Sequence, residues 1–261
     1  MSGPFVACVG GVVSADIAVP EHEREMRFYS AVLGTGERPL WREDLMNNLG
    51  APIIGLGARS PEYADLPLQW MPHIQVTDVA VSASVAVELG GRELMHGKDD
   101  DGNSQWAVLQ DPVGVAFGVI PVISPQAMPS LDEQVAAPMG RIAWLDLTVP
   151  DASGIRDFYR RVVGWAPQDV GMEDAGERYV DYNMCMGEGT PAAGICHARG
   201  PNAVIPPVWL IYLPVADLED SVRRAREQGG EIIKTTSQTH GEHAYAVVRD
   251  PVGACFALVP G

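Results

Sequence analysis

Acid–base chemistry needs a carboxylate or imidazole held opposite a proton donor, and this sequence supplies that pairing twice. In the run Trp144-Leu-Asp-Leu-Thr-Val149, strand alternation puts Leu145, Leu147 and Val149 on one face. Trp144, Asp146 and Thr148 then stand on the other. By the same rule Leu210, Tyr212 and Pro214 part from Ile211, Leu213 and Val215. Earlier in the chain, Ser14, Asp16 and Ala18 share one strand face, and Met71, His73 and Gln75 share another. Asp146 with Tyr212, and Asp16 with His73, therefore each set an acid against a polar ring. Asp146 reads as a general base or ligand anchor and Tyr212 as a proton donor. His73 is an acid or base near neutral pH. The competing reading is structural: each aspartate is satisfied by its neighbouring ring and by backbone amides within the sheet.

A second cluster lies in Gly194-Ile-Cys-His-Ala-Arg-Gly200. Arg199 is suited to clamp a carboxylate or phosphate with two parallel hydrogen bonds, with His197 beside it for proton transfer. Against this stands an edge-strand pair bound to an acidic surface. Tyr182 and Asn183 supply further hydrogen-bonding groups. Trp144 shares the face of Asp146, so the combination suits a planar organic molecule held by apolar walls and a few polar groups. Trp70, Trp106 and Trp209 read as core. His240 and His243 have a metal-like spacing but no third donor, so they read as a solvated loop opposite Gly102-Asn-Ser104. Asp99-Asp100-Asp101 reads as an exposed turn.

The elements that position these groups come from a duplication. Asp111-Pro-Val-Gly returns 139 positions later as Asp250-Pro-Val-Gly, and Phe28-Tyr29 returns as Phe158-Tyr159. Each copy reads strand–helix–strands, then strand–helix–strands. In copy two, Asp151 starts a helix whose apolar stripe is Ile155, Phe158, Tyr159, Val162 and Val163. The expected division is a module over 1–121, a proline-rich linker over 122–139 and a module over 140–261. A formal charge of −16 weighs against nucleic acid and anionic membranes. No run of 18 apolar residues occurs, and no secretory signal pattern opens the sequence. The four cysteines lack paired spacing, which fits free thiols in a reducing compartment, and the expected location is cytoplasmic.

A strand followed by a helix with Phe-Tyr and a closing glycine, then Val-x-Asp before a helix ending in Gly-Gly, then Asp-Pro-x-Gly, resembles the vicinal oxygen chelate superfamily. That group includes glyoxalase I, bleomycin-resistance proteins and extradiol dioxygenases. Copy two is also similar to a glyoxalase-like subgroup through Trp144-Leu-Asp-Leu-Thr148, Asp181-Tyr-Asn-Met184 and Trp209-Leu-Ile-Tyr212. The resemblance implies an α+β fold: duplicated, paired βαβββ modules whose mixed sheets curl around concave cavities. It also implies where a chelated metal would sit: Ser14, Met71 and Gly118 in copy one, Trp144, Leu210 and Ala257 in copy two. Those residue types are not a ligand set for a divalent ion, so no cofactor is expected. The expected partner is a small molecule, planar or carboxylate-bearing, and a homodimer is compatible with two modules. Three functions follow: a metal-independent enzyme of lyase or isomerase type using proton transfer; a binding protein that sequesters a drug or toxin; or a metal-dependent lyase or dioxygenase with atypical ligands.

Overall fold

Strict alternation builds the first strand. In β1 (Val12–Val19), buried Val13, Ala15, Ile17 and Val19 alternate with half-buried Ser14, Asp16 and Ala18. The structure, a computed structural model, describes residues 4–33, 54–127, 142–187, 189–236 and 244–261, with the backbone of 41–42 and 45–46. After β1, copy one continues through α1 (His22–Leu33), β2 (Trp41–Arg42), β3 (Leu45–Met46), β4 (Ile54–Ala58) and β5 (Met71–Val76). It closes with α2 (Val79–Glu88), β6 (Arg92–Lys98), β7 (Ser104–Gln110) and β8 (Ala116–Pro121). Copy two opens with β9 (Trp144–Val149), α3 (Ala152–Val163), β10 (Ala166–Asp174), β11 (Glu177–Met186) and β12 (Thr190–His197). Then come β13 (Trp209–Val215), α4 (Leu218–Glu227), β14 (Glu231–Thr236), β15 (Tyr245–Arg249) and β16 (Cys255–Pro260).

The strand orders are β2-β3-β4-β1 and β5-β8-β7-β6 in copy one, β10-β11-β12-β9 and β13-β16-β15-β14 in copy two. This is the paired βαβββ architecture expected from the repeat. Helix starts follow the sequence rule, with Asp78, Asp151 and Asp217 accepting from the N–H groups of Val81, Gly154 and Asp220. All five stripe residues of α3 are buried. In copy two, strand β10 escapes a reading from sequence. Its residues are exposed or half-buried throughout, so no apolar alternation announces it. No helix among the described residues is long and apolar enough to cross a membrane.

Space divides the chain differently from sequence. One compact unit joins β5–β8 and α2 of copy one to β9–β12 and α3 of copy two; the other joins β1–β4 and α1 to α4, β14–β16 and most of β13. The shared motifs make these joints. In the first unit, the Tyr159 hydroxyl donates to Asp111 Oδ2 at 3.3 Å and accepts from Trp209 Nε1 at 2.9 Å. Asp111 Oδ1 meanwhile takes the N–H groups of Val113 and Val115, closing its own Asp-Pro-Val-Gly turn. In the second unit Tyr29 donates to Asp250 Oδ2 at 2.8 Å and accepts from Trp70 Nε1 at 2.9 Å. Asp250 Oδ1 takes the N–H groups of Val252, Gly253 and Ala254. Edge-on ring pairs surround each joint, Phe117 with Phe158 at 6.1 Å and Phe28 with Phe256 at 6.2 Å. Trp70 and Trp209 are fully buried, as expected. Trp106 is not core: it is 40% exposed and lies across the bare backbone of Gly97.

Candidate functional site

The first unit carries the Asp146 face. Leu145, Leu147 and Val149 are buried, while Trp144 and Asp146 remain half-buried on the opposite side of β9. Two residues apart on one face, they meet: Trp144 Nε1 donates to Asp146 Oδ1 at 2.8 Å. Strand β12 runs parallel to β9 with Gly194 opposite Asp146 and Ile195 opposite Leu147. A Cβ on Gly194 would lie 2.2 Å from Asp146 Oδ1, so the carboxylate rests on backbone that only glycine leaves bare. Antiparallel β11 sets Asn183 opposite Gly194, which brings Asn183 out on the Asp146 face. Thr148, expected there too, is buried. The second unit repeats the motif in outline, with half-buried Asp16 on β1 facing Gly55 of β4.

The remaining sequence candidates scatter. Tyr182 pairs with Ile195 and so faces α3, where its hydroxyl hydrogen-bonds Ser153 at 2.9 Å and Arg156 stacks over its ring at 4.5 Å. It lies on the side of the sheet away from Asp146. His197 sits three residues along β12 from Gly194, and Asp181 Oδ1 captures both its N–H, at 2.8 Å, and its Nδ1, at 2.9 Å. Arg199 is committed to carboxylates, with Glu177 at 2.9 Å and Asp174 at 3.6 Å, and its guanidinium covers the Tyr179 ring. The anion clamp expected of it is thus replaced by ion pairs on the acidic surface. Tyr212 lies in the second unit, 7% exposed, with its ring beside Tyr245 at 5.8 Å. His240 and His243 lie outside the described residues.

Buried carboxyls dominate the electrostatics. Desolvation pushes Asp111 up to about 6 against the pull of the Val115 and Val113 amides. Asp250 is raised for the same reason. Glu25 on α1 is fully buried, and neither of its oxygens meets a donor. Burial first, and then the charge of Asp250, push Glu25 up to about 8. Copy two has Ile155 at the matching place, so this carboxyl belongs to one joint only. Sequence reading missed it because a lone Glu in an amphipathic helix looks like a surface residue.

The fold implies a chelated metal, and the residues at the chelating positions do not fit one. Met71, Leu210 and Ala257 are buried apolar side chains, and the Trp144 indole is spent on Asp146. At Gly118 a Cβ would lie 2.4 Å from His73 Cδ2, so the imidazole fills the space where a glutamate would start. Among the described residues no three His, Cys, Asp or Glu side chains converge. Hard or borderline cations need several such donors at short range.

Two family comparisons agree with this architecture. The Glyoxalase/Bleomycin resistance protein/Dioxygenase superfamily matches residues 141–258, and a glyoxalase-like domain matches residues 13–120. The chain belongs to this superfamily, the vicinal oxygen chelate proteins. Among relatives, the anthracycline biosynthesis protein DnrV of Streptomyces peucetius is 29% identical over 195 residues, covering 74% of this chain and 66% of the relative. The chain thus spans just under two thirds of that protein. CFP32 of Mycobacterium bovis, whose name marks it as a candidate glyoxylase, is 24% identical over 253 residues, covering 94% of this chain and 92% of the relative. The fold is similar to that of a catechol 2,3-dioxygenase (TM-score 0.56, 14% identity, 98% of this chain and 94% of that one). It is also similar to homoprotocatechuate 2,3-dioxygenase of Brevibacterium fuscum (TM-score 0.58, 14% identity, 98% and 73%).

Proposed function

We propose that this protein binds a planar, hydroxyl-bearing organic molecule on the Asp146 face and acts on it by proton transfer, with no ion held by the chain. The observation that carries this reading is the Trp144–Asp146 hydrogen bond laid over Gly194. The indole N–H fixes one carboxylate oxygen and so aims the group. The bare backbone behind it lets the carboxylate sit low in the sheet, and Asn183 adds an amide on the same face. An ionised carboxylate accepts a hydroxyl hydrogen bond strongly and removes a proton from a group held against it. The indole offers a flat apolar wall for stacking. The names of the Streptomyces relatives place them in anthracycline biosynthesis, and anthracyclines are flat hydroxylated ring systems, which supports this ligand class.

A second reading, binding without turnover, has one observation in its favour. His197, Tyr182 and Arg199 are engaged by Asp181, Ser153 and Glu177, so they do not serve Asp146 as acid partners. Titration with a hydroxyanthraquinone such as alizarin, read by tryptophan quenching, tests both. Asp146→Asn is expected to weaken binding about tenfold, the worth of a charge-assisted hydrogen bond, and Trp144→Phe to remove most of the quench. Unchanged affinity in both variants refutes the site. Turnover lost in Asp146→Asn identifies the enzyme, and absence of turnover in the parent identifies the binder.

A further inference from the structure

A serine, a histidine and a glutamate form a hydrogen-bonded line on copy one, away from the Asp146 face. Ser104 Oγ lies 2.8 Å from His96 Nε2, and His96 Nδ1 lies 3.0 Å from Glu93 Oε2. Glu93 and His96 are three apart on β6, a spacing that regular pleating would send to opposite faces. Two bulges prevent this. Leu94 is skipped between the pairs Glu93–Leu109 and Met95–Val108, and Gln105 is skipped between Gly97–Trp106 and Lys98–Ser104. Both irregularities turn the three side chains to the side shared by buried Ala107 and Leu109, where α2 packs on β7. Bulges that re-aim side chains in this way recur beside active sites.

The tautomer follows from chemistry. A carboxylate only accepts, so Nδ1 carries a proton toward Glu93, and it is the ring without a second proton that can accept the Ser104 hydroxyl at Nε2. Ser104 opens onto a hollow of about 380 Å³, lined also by Asn103, Pro121 and the first turn of α2 from Thr77 to Ala80. The Val79 and Ala80 N–H groups begin α2 and have no helical acceptor, so the turn that lines the hollow carries donors of the kind a developing oxyanion needs. Copy two has Ile232 and Thr235 where copy one has Glu93 and His96, so the constellation is particular to one copy.

We propose that Ser104, His96 and Glu93 form a second, independent site that hydrolyses small carboxylic esters through an acyl-serine. Ser104 Oγ bonds to the ester carbonyl carbon while its proton passes to His96 Nε2. The C–O bond to the leaving alcohol then breaks, and that alcohol takes the proton from His96. Water attacks the acyl carbon, gives one proton to His96, and releases the acid as the Ser104 hydroxyl re-forms. Glu93 is a positioning residue that holds the ring. Asp78 lines the hollow on a chain of charge −16, so the substrate class is uncharged or cationic esters.

The test uses the full chain with diisopropyl fluorophosphate and p-nitrophenyl acetate. A single phosphoryl adduct mapped to Ser104 by peptide mass, lost in Ser104→Ala and kept in the control Ser84→Ala, supports the site. Ester turnover is expected to fall at least 100-fold in Ser104→Ala and His96→Asn. In Glu93→Gln, kcat is expected to fall with KM unchanged, and Glu93→Asp to recover part of it. An adduct elsewhere, no adduct at all, or equal turnover in Ser104→Ala overturns the proposal.

Discussion

Replacing Glu25 with glutamine keeps its shape and removes its charge, and the effect on stability should depend on pH in a defined direction. In the unfolded chain this carboxyl ionises near its ordinary value of 4.5, whereas in the fold it holds its proton up to about 8. Between those values the folded state binds one more proton, so stability falls as pH rises, by about 1.4 kcal/mol per unit. The contribution is complete below the unfolded value and lost through the folded one. From pH 6 to pH 8 the parent is therefore expected to lose roughly 2 kcal/mol that Glu25→Gln does not lose. For a chain of this size that is a differential shift of about 4–8 °C in the unfolding midpoint. Glu25→Ile, which copies the residue at position 155, should show the same flat profile. Thermal unfolding of parent and variant across pH 5–9 reads this directly; Asp250, which interacts with Glu25, shares in the difference, and titrating groups away from the pair cancel. Parallel curves refute the argument, because they require a carboxyl that ionises as freely in the fold as outside it.

Tyr159→Phe leaves Asp111 Oδ2 and the Trp209 indole N–H without their partner, at a cost of about 2 kcal/mol in denaturant unfolding. The lost phenol also stabilised the ionised aspartate, so the penalty should be larger at pH 7 than at pH 4.5. Gly194→Ala forces the Asp146 carboxylate off its seat and breaks its bond to Trp144. Stability should fall by about 1–3 kcal/mol, and alizarin quenching should fall as far as in Trp144→Phe.

Much of the fold was legible because duplication prints every element twice and each strand or helix announces its buried face. Alternation in β1 and β9 found Asp16 and Asp146, and same-face spacing brought Trp144 to Asp146. What failed depended on register or on distant partners. The Asp-Pro-Val-Gly turns looked like family marks, yet their work is to receive tyrosines 48 and 221 residues away in sequence. His197 and Tyr182 were grouped by proximity along the chain. At the end of β12 the pairing with β11 stops at Ile195 while that with β9 runs on to His197, and the Asp181 side chain takes the His197 N–H instead. Ser104 read as a loop residue because two bulges, invisible to a period of two, bring it to His96.

The joints between copies carry a consequence for how such a chain comes apart. Each aromatic centre draws its tryptophan and tyrosine from one repeat and its aspartate from the other. Severing the polypeptide between the repeats would thus leave two fragments, each holding complementary halves of two hearts and the whole of neither. Mixed together, the pieces contain everything either centre requires.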